Sequence, residues 1–267
     1  MFIRNQTDEQ RFFRPSCLPV LNERFTDYDF FDPYYEKTYK HIQVPAELTR
    51  SPEDTLLNYF SILREAANTD ERSCGTIGNG HIPYPLAYNF LSKAYQKRLS
   101  YEEYVHSFAG VGHLSLIKLC RVPGEKQDIQ FFYEIEAIEI LEGKSAEFFG
   151  YAYGFIRLVH EQTGYRMADI QQLTEDFLCA PYHGWDHDGE AIIDVKYGGW
   201  CKLVQKRYPT IKNSYFKSIY FLGNDGADYC FIFITLTNGT DVEIAQFRRK
   251  IDGKWKKVNI KPEEQCT

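Results

Sequence analysis

This 267-residue chain has almost no methionine, no closely paired cysteines, no long apolar run and no excess of basic charge. Each absence removes a class of function. With only 2 Met against 20 Phe and 20 Tyr, a core or pocket must be walled by aromatic rings that bring stacking surface and phenol hydroxyls. Seven cysteines (Cys17, Cys74, Cys120, Cys179, Cys201, Cys230 and Cys266) are scattered without a CxxC pair, which argues against a zinc knuckle and a disulfide framework. Reduced thiols serving as small apolar fillers are expected. No segment approaches the roughly 18 apolar residues of a membrane-spanning helix. The opening MFIRNQTDEQRFFRPSCLPV lacks the apolar run of about 7–15 residues of a secretory leader. A cytoplasmic chain with no membrane partner is therefore expected. A net charge of −6 is poorly suited to neutralising phosphates, so no nucleic-acid partner is expected either.

What is present suits a globular protein, with 43% hydrophobic and 25% charged residues. Residues 1–50 show neither a helical nor a strand period. They read as an aromatic arm that docks through Phe25, Phe30, Phe31, Tyr34 and Tyr35. "SPEDTLLNYFSILREAAN" then carries an N-cap at Ser51, Pro52 at the first helical position and an apolar stripe at Leu56, Leu57, Phe60 and Leu63. It predicts a helix. A loop follows over 69–85, then a second helix near 85–98 and a short third one from Ser100.

After Gly112 the period changes to two. "DIQFFYEIEAIEI" sets Ile129, Phe131, Tyr133, Ile135 and Ala137 on one face, with Gln130, Glu134 and Glu136 on the other. Beyond a turn at 142–144, Phe149, Tyr151, Tyr153 and Phe155 share a face, opposite Gly150, Ala152 and Gly154. Small residues there let a sheet bend or a neighbour approach closely. "YRMADIQQLTEDF" is a further strand. Strands ending in turns at Asn238-Gly239 and Asp252-Gly253 close the chain. The stretch 191–206 fits two patterns. Ile193, Tyr197, Trp200 and Val204 make a helical stripe, yet Gly198-Gly199 inside a helix would cost roughly 2 kcal/mol, which leaves a strand entering a tight turn open.

A capped helix beginning Ser-Pro-Glu-Asp, two shorter helices and a long antiparallel meander resemble the NTF2-like, cystatin-like α+β cone fold. The resemblance implies an α+β chain with an NTF2-like domain over 51–180, its helices packed on a curved antiparallel meander. A second, smaller helix-plus-meander module over 184–262 would make a tandem. Such folds serve many functions, so the resemblance names no chemistry. No family motif is matched, and no catalytic residue is carried over.

The leading expectation is a non-catalytic module that binds a small apolar or aromatic ligand, or a protein partner, in an aromatic-lined concavity. Its candidate lining is Phe131, Tyr133, Phe149, Tyr151, Tyr153 and His113. The alternative is an isomerase, dehydratase or hydrolase using His113, His160 or Asp169 beside an inward Tyr. No cofactor is expected, and self-association is left open. "GTIGNG" at 75–80 follows no strand and is a weak phosphate loop, and the basic hairpin "FRRKIDGKWKKVNIK" most simply keeps an edge strand soluble. "PYHGWDHDGEAII" offers His183, Asp186 and His187 as weak metal ligands. It reads more simply as a joint between modules, where Asp186 or Asp188 caps the next helix.

Overall fold

The computed structural model of the chain describes residues 16–25, 28–69, 79–125, 127–140, 147–175, 181–250 and 253–266. Most of the "GTIGNG" loop, Cys74, Cys179, the 142–144 turn, Asp252 and the His183 side chain fall outside that set. The architecture is mixed α+β with two antiparallel sheets. The chain divides into two compact units, Met1–Arg121 with Asp128–Thr174, and Val122–Gln127 with Glu175–Thr267.

In the first unit, Ser51 starts helix α1 (Pro52–Arg64) by accepting a hydrogen bond from Asp54 N–H at 3.1 Å. The helix that the sequence predicts over 85–98 is split into α2 (Tyr84–Tyr88) and α3 (Lys93–Gln96). Between them Leu91 forms a parallel bridge to Met167, with Met167 N–H donating to Phe90 O at 2.9 Å and Ser92 N–H to Met167 O at 2.8 Å. These strand-type bonds replace helical ones, and Ser92 then caps α3 through Tyr95 N–H. Helix α4 (Tyr101–His106) opens with a reciprocal capping box between Ser100 and Glu103.

Strands β1 (Val111–Arg121), β2 (Ile129–Ile140), β3 (Glu147–Glu161) and β4 (Gly164–Thr174) form a meander in chain order. α1 packs on β1 and β4. Register settles which residues share a face, because directly opposed residues in an antiparallel pair point the same way. Tyr133 opposes Gly154, Ile135 opposes Ala152 and Ala137 opposes Gly150. The small residues of β3 therefore join Phe131 and Tyr133, while Phe149, Tyr151 and Tyr153 lie on the other side. The expectation that Phe131 and Phe149 share one concave face is thereby overturned.

The N-terminal arm belongs to the first unit. It forms 3₁₀ turns at Tyr28–Tyr34, Tyr39–His41 and Ala46–Thr49. Phe31 is buried, and Phe25 and Phe30 stack with centroids 4.0 Å apart. Tyr35, expected to dock, is instead 52% exposed. Asn22 is fully buried. Its amide donates to Phe60 O at 2.9 Å and Leu114 O at 3.1 Å, and its oxygen accepts from Leu116 N–H at 2.8 Å.

The second unit pairs β10 (Trp255–Val258), β9 (Asp241–Arg249), β8 (Asp228–Thr235), β7 (Phe216–Gly223) and β5 (Val204–Arg207) in that order, with β6 (Ile211–Asn213) also on β7. Gly239, at φ +89°, makes the β8–β9 turn where Asn-Gly predicts it. The stretch 191–206 holds the end of helix α5 (Gly189–Ile192), a π-helix (Ile193–Trp200) and β5. Ile193 and Tyr197 bury against Phe221 and Phe231, whereas Trp200 is 38% exposed. Wide π turns accommodate the glycine pair, and Cys201 N–H closes the last one on Lys196 O at 3.0 Å.

Cys201 and Cys266 form a disulfide, which overturns the reduced-thiol expectation for that pair. Helix α6 (Pro262–Gln265) folds back onto the end of the π-helix, where Glu263 meets Lys196 at 2.6 Å and the two cysteine Cα atoms stand 4.7 Å apart. Cys120 and Cys230 remain thiols, and burial pushes the Cys120 thiol up to about 12. Among the described residues no helix is long and apolar enough to cross a membrane.

Candidate functional site

The side chains between α1 and the four-stranded sheet leave a cavity of about 310 Å³. Its origin lies in the strand sequence. Ala137, Gly150 and Ala152 on adjoining strands project a methyl at most, so the sheet cannot reach the helix along that row. The walls are rings: Tyr59 and Phe60 from α1, Tyr95 from α3, Tyr104 and Phe108 from α4 and its exit, and Tyr133 from β2. This size lies at the lower end of typical small-molecule pockets.

Hydroxyls punctuate these walls. Tyr104 donates to the Tyr59 oxygen at 3.2 Å, and Tyr133 donates to Gln172 Oε1 at 3.2 Å. Burial raises the pKa of all three phenols above the ordinary value, so each stays a neutral donor at physiological pH. One carboxylate completes the lining. Glu139 stands on β2 two residues beyond Ala137, on the same face, and burial raises its pKa above the usual glutamate value.

Of the expected lining residues, Tyr133 faces the cavity and Phe131 is buried on the same sheet face beyond it. Phe149, Tyr151, Tyr153 and His113 do not line it. Tyr151 turns to the opposite face, where its hydroxyl donates to Glu136 at 2.7 Å, and the Tyr153 ring lies 6.2 Å from Phe132. His113 opposes Ile138, which opposes Phe149, so it shares their side. The other expected bases are elsewhere too. His160 is exposed with its ring 4.8 Å from Tyr165, and Asp169 pairs with Arg98 at 3.1 Å. Glu139 escaped the sequence reading because the alternation was followed only to Ala137. One more step of two would have reached it.

The acidic, histidine-containing stretch before α5 does structural work in the second unit. Asp188 caps α5 through Ala191 N–H at 2.9 Å, and His187 Nδ1 contacts Thr240 Oγ1 at 2.9 Å. Fully buried Asp241 accepts from Gly189 N–H at 2.9 Å. Among the described residues no group of three or more His, Cys, Asp or Glu is placed to hold a metal. Asp188→Ala is expected to cost about 1 kcal/mol, read as a lowered urea midpoint with an unchanged slope.

No known protein family, curated protein or solved structure matches this chain.

Proposed function

We propose that the first unit is a non-catalytic module that binds a small apolar or aromatic molecule in the cavity between α1 and the sheet. The carrying observation is the ring-walled space over Ala137, Gly150 and Ala152. Rings offer a ligand large apolar contact at little entropic cost, and the few hydroxyls among them orient it. The order of a capped helix, short helices and a four-stranded meander supports the NTF2-like reading of this unit. An enzymatic reading through the bases expected from the sequence has less support, since none of His113, His160 and Asp169 lines the cavity. As to setting, the Cys201–Cys266 bond favours oxidising surroundings over the cytoplasmic ones expected from the sequence.

Indole tests the proposal. It should raise the thermal midpoint of the wild-type chain in a saturable way, as any ligand of the native state must. Ala152→Leu should fill part of the cavity, keep the circular dichroism spectrum and lose most of that shift. An undiminished response in a folded Ala152→Leu variant would show that indole binds elsewhere.

A further inference from the structure

Among the described residues, one acidic side chain reaches the cavity. Among the described lining residues Glu139 is the only carboxylic acid, and no Lys, Arg or His accompanies it. Its place is built into the strands. A Cβ added at Gly150 would lie 2.5 Å from Glu139 Oε1, so the missing side chain on β3 is what makes room for the carboxylate. The group is half-buried, burial raises its pKa, and among the described residues none donates a hydrogen bond to it. Phe148, its partner across the strands, is 38% exposed.

A carboxylate withdrawn from water without a counter-charge is costly, and a ligand that brings the missing charge recovers that cost. Aromatic faces also attract cations and do nothing comparable for anions. Building on the ligand-binding reading above, we infer that the cavity takes a small organic cation, an ammonium group carried on an aromatic or alicyclic body. The nitrogen sits against Glu139 and the body lies among Tyr59, Phe60, Tyr104 and Phe108. A neutral molecule of the same shape would bury the carboxylate further and give it nothing. An anion would be repelled.

Three probes of similar shape separate these cases by isothermal titration on the full chain: 2-phenylethylamine, 2-phenylethanol and phenylacetate. The amine should bind about tenfold or more tighter than the alcohol, the usual scale of a hydrogen bond to a charged group, and phenylacetate weakest. Glu139→Gln should bring the amine down to the level of the alcohol and leave the alcohol unchanged. Gly150→Ala, which pushes the carboxylate aside, should weaken the amine alone. Equal affinity of wild type for amine and alcohol, or tighter binding of phenylacetate, would overturn the cation assignment while cavity binding stands. Failure of all three probes to bind would overturn both readings.

Discussion

Replacing Gly154 by alanine is expected to lower the stability of the first unit by about 3 kcal/mol, the upper part of the usual range for an overpacked site. The added methyl would lie 1.9 Å from the Gln171 carbonyl oxygen and 2.9 Å from its carbon. Both atoms are β4 backbone, so no change of rotamer relieves the clash and β3 must move away from β4. The cavity would feel the same displacement. Tyr133 opposes Gly154 on β2, and its hydroxyl reaches Gln171 O at 3.4 Å. Urea denaturation followed by circular dichroism provides the measurement. Gly112→Ala, in the same unit, is the control, because a Cβ there meets its nearest neighbour, Thr69 Cγ2, at an ordinary 3.5 Å. Equal, small losses in the two variants would mean that the β3–β4 contact yields easily.

The second large effect concerns the Cys201–Cys266 bond. Reducing it, or replacing Cys201 by serine, should cost the second unit about 2–4 kcal/mol, the typical worth of a native disulfide. The cysteines lie 65 positions apart, so the bond restrains a long stretch of the unfolded chain. The folded segment it anchors is short. Four-residue α6 is too short to persist alone, and the partly exposed Lys196–Glu263 pair contributes little. Gln246 also attaches it, accepting from Ile260 N–H at 2.7 Å and donating to Ile260 O at 2.9 Å, while Ile260 packs against the core of the unit and Pro262 is buried. Beneath lies Glu243, whose carboxyl is raised by burial and accepts from the Tyr197 hydroxyl at 2.8 Å. Loosening the segment lets water approach that group. Urea midpoints with and without a thiol reductant should differ for wild type and coincide for Cys201→Ser. A wild-type midpoint indifferent to reductant would show that the bond adds nothing.

The helices and turns with local causes were legible in the sequence. Ser51, Pro52 and the stripe through Phe60 mark α1, and Asn238-Gly239 marks the β8–β9 turn. The cavity was legible by half. Alternation along β2 put Phe131, Tyr133, Ile135 and Ala137 together, but could not say which face of β3 met them. The reason is physical: β2 is buried on both sides from Phe131 to Ala137, so hydrophobicity does not distinguish its faces. With large rings at Tyr151 and Tyr153 and small residues at Gly150 and Ala152, the rings look like the lining of a concavity. Only the pairing of Ile135 with Ala152 reveals that the small residues create the space. The disulfide and the break at Leu91 were out of reach for a related reason. Each depends on a partner far along the chain, Cys266 for Cys201 and Met167 for Leu91, and no local pattern records such meetings.

Asn22 has a consequence beyond holding the arm in place. Among the described strands β1 is an outer one, paired on one side only, and such a margin offers free peptide groups to any extended chain that drifts past. The Asn22 amide engages Leu114 O and Leu116 N–H on that margin, and Leu21 N–H takes Leu116 O at 2.9 Å. A single side chain and one peptide group thus imitate the neighbour that β1 lacks. With these groups engaged, an incoming strand finds Leu114 O and the Leu116 peptide already occupied, the kind of edge protection that discourages open-ended stacking of sheets.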